Sequence, residues 1–223
     1  MGAFQGVSEF FDRPLYEVAE QFGYDEDNLL ILSGNEQRLR QLYPETYRNL
    51  IGCRHNADRR TPMEYGQDLV ASWMIEDYFL AVLSSDHYDL ALNGADRNRK
   101  ILPRARISAS SDYMITAPGI RIRMELMNDY TGFWRKTHRL HLRDAKYWQL
   151  RQSGSLFIAI STPTREFAIY DFRQEIPAAY IPSHPAYGGK SAYELQIPST
   201  ALQKITGDRM ERAILERIGF GRV

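Results

Sequence analysis

The sequence is short of the features that would fix a compartment or a chemistry at a glance. It holds one cysteine, Cys53, so neither an internal disulfide nor a zinc–thiolate cluster can form within the chain. No early apolar run carries the basic flank and small-residue pattern of a secretory leader, and no run approaches the ~20 residues of a membrane span. These absences predict a reducing, cytoplasmic setting and no membrane partner. An excess of one charge is also missing: Lys plus Arg and Asp plus Glu both total 28. Net charge therefore gives no pointer to nucleic acid, and only the local distribution of charge can. Internal repeats and low-complexity segments are lacking too.

What is present has globular proportions. Of 223 residues, 43% are hydrophobic and 25% charged, enough for one domain of ordinary to large size with an appended subdomain. Residues 1–57 predict a helical N-terminal subdomain. Phe10, Phe11, Leu15, Val18, Ala19 and Phe22 recur at helical spacing before Gly23, and Pro44 interrupts a later helical stretch from Asn35. At Thr61 a long helix begins, with Thr61 as cap, Pro62 at the first helical position and Glu64 completing a capping box. Leu69, Trp73, Leu80 and Leu83 form its stripe, and Glu76 falls within it. A carboxylate there needs a partner. Either it joins a functional site, or the helix is rotated so that an arginine pairs with it at the boundary.

A short strand, Asp89–Leu92, leads into the basic run Arg97-Asn98-Arg99-Lys100-Ile101-Leu102-Pro103-Arg104-Ala105-Arg106. Such a run either neutralises backbone phosphates or is a solvated loop balanced by acidic neighbours. The most informative stretch follows. Apolar and β-branched residues flank Ala117-Pro118-Gly119, which predicts a hairpin. Asp112 lies as far before that turn as Glu125 lies after it, which brings two carboxylates together on one sheet face. Like charges so placed repel unless a cation lies between them or a proton is shared, and oxygen donors suit a hard divalent ion. Farther on come an edge strand at His138–Leu142, a helix from Asp144 to Gln152, a buried strand at Leu156–Ile160 and its partner at Phe167–Tyr170. A proline-rich tail follows, with a strand at Ala192–Ile197 and a closing helix to Ile218. Gly188-Gly189-Lys190 lacks the spacing of a phosphate loop. His138 and His141 lack a third zinc ligand and are expected at the surface or against phosphate.

The order of these elements from Thr61 to Asp171 resembles the PD-(D/E)xK nuclease superfamily, which includes restriction enzymes, junction resolvases and phage nucleases. The resemblance implies an α/β (α+β) fold: a mixed central β-sheet flanked by helices, restriction-endonuclease-like, over residues 58–223 with a C-terminal extension. Ser111-Asp112 stands where Pro-Asp is expected, Glu125 as the second acid, and Glu76 as the helix carboxylate, with Glu64 behind it. The lysine position two residues after Glu125 holds Met127 instead. Some members carry the lysine on the following helix, where Lys146 stands, with Lys136 as a fallback. The resemblance then implies Mg²⁺ or Mn²⁺ on Asp112 and Glu125 and DNA as substrate, held by Arg99, Arg104, Arg121, Arg123, Lys136 and Gln149. Trp134 or Tyr147 would stack against bases. A homodimer would suit cleavage of both strands. The alternatives are a DNA-binding or assembly protein that keeps the fold without the chemistry, and a protein–protein module with solvated basic loops.

Overall fold

The computed structural model describes residues 2–53, 59–94, 97–103 and 111–219. Among these residues the protein is mixed α/β, with nine α-helices, a mixed six-stranded sheet and a separate three-stranded sheet. The chain divides into two compact units, residues 1–81 with 92–110, and residues 82–91 with 111–223. The helix that begins at Pro62, read from the sequence as the start of the second domain, thus groups with the helices before it.

The first unit is helical: α1 (Ala3–Phe11), α2 (Leu15–Gln21), α3 (Glu26–Leu32), α4 (Glu36–Leu42), α5 (Pro44–Cys53) and α6 (Pro62–Val82). The periodic run from Phe10 to Phe22 is two helices, not one. Asp12 turns left-handed (φ 56°), and Pro14 disfavours helical backbone at the residue before it. Pro44 likewise opens α5 rather than merely ending α4. The capping box of α6 forms both ways, with Thr61 N–H donating to Glu64 Oε2 at 2.6 Å and Glu64 N–H to Thr61 Oγ1 at 3.2 Å. Helix α6 is central to its unit. Val70, Trp73, Met74, Ile75 and Phe79 are buried on it, while Leu69 and Leu80 are only half-buried, so the buried face is rotated from the expected stripe. Gly66 lets neighbouring helices close in, since a Cβ there would sit 3.0 Å from methyls of both Ile31 and Leu50.

The second unit carries the sheets. Its strands in chain order are β1 (Asp89–Leu92), β2 (Tyr113–Ala117), β3 (Ile120–Asp129), β4 (Arg139–Arg143), β5 (Leu156–Ser161), β6 (Glu166–Asp171), β7 (Ala178–His184), β8 (Lys190–Gln196) and β9 (Gln203–Lys204). The larger sheet runs β1-β2-β3-β5-β6-β9 and the smaller β4-β8-β7. β3 and β5 are parallel, and β2, β6 and β9 pair antiparallel to their neighbours. The crossover from β3 to β5 contains α7 (Phe133–Thr137), β4 and α8 (Asp144–Ser153), and α9 (Gly207–Ile218) follows the last strand. β5 is buried at every position, as its unbroken apolar run predicts. Leu140, Leu142, Tyr147, Leu150, Phe157 and Leu195 belong to one core cluster, which ties α8 to both sheets. β7 was masked in the sequence by its prolines. It is an edge strand with a bulge between Ile181 and His184, and Pro182 is tolerated there because an edge leaves N–H positions outside the ladder.

Candidate functional site

The hairpin builds the site. Pro118 and Gly119 (φ +72°) make the turn, and the register runs Ala117 opposite Ile120 through to Tyr113 opposite Met124. The ladder ends there, and Asp112 and Glu125 are the next residues along it, so continuing the register would set them opposite each other. Asp112 is fixed there by the backbone, as Leu126 N–H donates to its Oδ2 at 2.8 Å. Strand alternation puts Arg121, Arg123, Glu125, Met127 and Asp129 on one face of β3. Burial along that face is uneven, with Met127 only partly buried. Arg121 and Arg123 are exposed, Glu125 is buried, and Met127 packs against the core cluster.

Lys146 arrives from α8. Its ammonium donates to Glu125 Oε1, with 29% of the lysine side chain exposed and 10% of the glutamate. Gln149, one helical turn on, is half-buried. The second unit thus pairs Glu125 with the helix-borne lysine, ties Asp112 to the N–H of the strand residue after Glu125, and sets two of the predicted arginines on the same face of β3 as Glu125. The donor set is two carboxylates, hard oxygen ligands of the kind that hold Mg²⁺ while leaving it several waters. Among the described residues no group of three or more His, Cys, Asp and Glu side chains is placed to hold a metal. Asp129 is not part of such a set. It accepts from Thr131 N–H and Oγ1 and from Trp134 N–H, so it organises the start of α7.

Other expectations are corrected. Arg99, expected on a nucleic-acid backbone, is buried in the first unit. It donates from Nη1 to Glu76 at 2.7 Å and from Nη2 to Asp77 at 2.7 Å, with Nε also facing Asp77. Of the two readings open for Glu76, the arginine pair is the one found. Burial works against the guanidinium's charge, but the bonds to Asp77 and the charges of Glu76 and Asp77 outweigh it, and the Arg99 pKa rises above its usual value. Tyr24 donates to Asp77 as well, and burial together with that carboxylate pushes its hydroxyl far above the ordinary tyrosine range. Glu64 serves its capping box. Trp134 is 5% exposed and Tyr147 8%, the latter stacked on Tyr193 at 3.9 Å, so both are core rings rather than base-stacking ones. Lys136 is exposed on α7, and Arg104 lies outside the described residues.

Two features escaped the sequence. Asp77 carries no local signal in the sequence, because its pairing with Arg99 joins residues distant in the chain. The Leu126 N–H bond to Asp112 has no sequence signal beyond the hairpin register itself. No family model matches the chain, and no curated protein matches it. Among the described residues no helix is long and apolar enough to cross a membrane.

Proposed function

We propose that the protein is a metal-dependent nuclease, an endonuclease that hydrolyses DNA phosphodiester bonds with chemistry like that of the PD-(D/E)xK superfamily. The observation that carries the reading is the delivery of the Lys146 ammonium from α8 to Glu125, which the continued hairpin register would set opposite Asp112. Asp112 is pre-oriented by Leu126 N–H, which occupies one carboxylate oxygen. Mg²⁺ or Mn²⁺ held by Asp112 and Glu125 would supply charge neutralisation at the phosphate and acidify an attacking water. Lys146, its side chain 29% exposed, would turn its ammonium from Glu125 to the charge that develops on the phosphate. Arg121 and Arg123, exposed on the same face of β3, would hold the backbone, with Lys136 and Gln149 contributing from α7 and α8.

Plasmid cleavage with Mg²⁺ or Mn²⁺ tests this, run beside Asp112→Ala, Glu125→Ala and Lys146→Ala. Cleavage by the wild type that disappears in all three variants, with Lys136→Ala losing mainly affinity, is expected. Cleavage that survives Lys146→Ala sinks the assignment of the lysine, and no cleavage under either metal sinks the nuclease reading. One observation favours a second reading, a DNA-binding or assembly protein without chemistry. Lys146 already pairs with Glu125, and Met127 fills the strand position where the superfamily has its lysine. DNA binding without cleavage is its signature. A homodimer would present two such sites to two strands, and sedimentation of the DNA complex tests it.

A further inference from the structure

The smaller sheet has an outer face that the proposed cleavage site does not use. β4 is Arg139-Leu140-His141-Leu142-Arg143, with Leu140 and Leu142 buried. Alternation therefore sends Arg139, His141 and Arg143 to the opposite side. Register carries this face across β8, with Arg139 opposite Gln196, His141 opposite Glu194 and Arg143 opposite Ala192. It continues to β7, where Ala179 lies opposite Glu194 and, past the bulge, His184 opposite Lys190. Arg139, Arg143 and Lys190 are exposed. Among the described residues Glu194 pairs with Arg139 and His141 of this face. Glu194 Oε2 lies 3.0 Å from His141 Nε2 and 3.5 Å from Arg139 Nη1.

A row of rings crosses the same face. Phe133, 40% exposed, lies 5.8 Å from His141, which lies 4.5 Å from His184, which lies 4.7 Å from Tyr187. The Tyr187 hydroxyl donates to the His141 carbonyl at 2.7 Å, fixing the last ring to β4. Cations beside a row of flat rings are what an unpaired polynucleotide needs, phosphates on one and bases on the other. Same-face residues on a strand recur about every 7 Å, comparable to the step between successive phosphates of an extended strand. A membrane surface would call for a wide apolar face to insert, which the charged residues of β4 deny. An acidic protein would use the cations but leave the rings without a role.

We propose that this outer face of the small sheet binds an extended single-stranded polynucleotide, its phosphates on Arg139, Arg143 and Lys190 and its bases along the Phe133–His141–His184–Tyr187 row. The choice of a nucleic acid as the polymer rests on the proposed function, whereas the surface stands on its own geometry. Fluorescence anisotropy of the full chain in EDTA, with an oligodeoxynucleotide or oligoribonucleotide of about 15 nucleotides, tests it. Arg139→Gln/Arg143→Gln should weaken binding tenfold or more at low salt and reduce the log–log salt slope by about 1.4, two phosphate contacts' worth. Arg139→Lys/Arg143→Lys should keep the slope, which controls for folding. Phe133→Ala should weaken binding about fivefold with the slope intact.

Unchanged affinity and slope in the glutamine double variant overturns the proposal. So does tighter binding to a duplex of equal length, or to phosphatidylserine vesicles, than to either single strand. The cleavage reading fails separately. Binding with the expected slope but no cleavage under any metal leaves this surface standing without it, and cleavage with an unaltered slope in the double variant does the reverse.

Discussion

Replacing Arg99 by methionine removes a guanidinium that the first unit places against both Glu76 and Asp77. The arginine side chain is 10% exposed, Glu76 15% and Asp77 17%, so the two carboxylates stay largely out of water when their partner goes. Breaking a buried pair by deleting one member costs about 3–5 kcal/mol. The residual exposure of both acids lets water recover part of that, which puts the expected loss at about 3 kcal/mol. Asn28 Nδ2 bonds to the Arg99 carbonyl at 2.8 Å, a backbone contact that the substitution leaves in place, so the loop keeps its anchor. Trp73, 1% exposed with the Arg99 guanidinium carbon 6.0 Å from its ring, reports on the change. In a Trp134→Phe/Trp148→Phe background it is the sole indole. Urea titration should show the midpoint falling by about 1–2 M with the slope unchanged. Neutralising the two acids as well, in Arg99→Met/Glu76→Gln/Asp77→Asn, should recover at least half of the loss. A loss under about 1 kcal/mol, the level of an exposed surface pair, would refute the reasoning. So would a triple variant no more stable than the single one.

Lys146→Met should cost about 1–2 kcal/mol in a thermal melt, less than a fully buried pair because the lysine is 29% exposed, with Glu125→Gln restoring much of it. Met127→Lys should destabilise the protein and fail to restore cleavage to Lys146→Ala, because that position packs on the core cluster. Burial alone would raise the Glu166 pKa, but the Thr164 hydroxyl and the bond and charge of Lys204, with Arg135 beyond, hold it below the usual carboxylate range. Its contribution is therefore full above the unfolded carboxylate pKa and lost as pH falls through the lower folded value. Glu166→Gln should flatten the acid limb of a stability–pH curve below about pH 4. Thr61→Ala, which removes the cap accepting from Glu64 N–H, should cost about 1 kcal/mol by urea titration.

What was legible in the sequence is what local chemistry decides. A Pro-Gly turn sets hairpin register by counting, so the ladder from Ala117 opposite Ile120 to Tyr113 opposite Met124 followed from position alone. The capping box at Thr61 and Glu64 needs only a three-residue spacing. Arg99 was misread because a basic run looks the same whether its charges meet water or carboxylates, and its partners stand on a helix more than twenty residues earlier. The rings of Trp134 and Tyr147 were misread for a related reason. An aromatic beside cations suits stacking or core, and only the burial of the crossover distinguishes them. β7 was hidden by prolines that an edge strand accommodates.

Met127 shows how the two levels meet. The face of β3 that bears the candidate site passes from exposed Arg121 and Arg123, through buried Glu125, to a methionine packed on the core. An ammonium at residue 127 would have to sit among the apolar side chains around that cluster, where desolvation opposes its charge. The helix that covers the cluster offers another route. α8 starts directly after β4, and its first turn reaches back to Glu125, whereas Tyr147 and Leu150 on the same helix face inward. A lysine on that first turn keeps its stem on the protein and part of its head in water, as the 29% exposure of Lys146 records. The apolar packing of residue 127 against the cluster and the entry of α8 beside residue 125 therefore account together for an ammonium that comes from the helix rather than the strand.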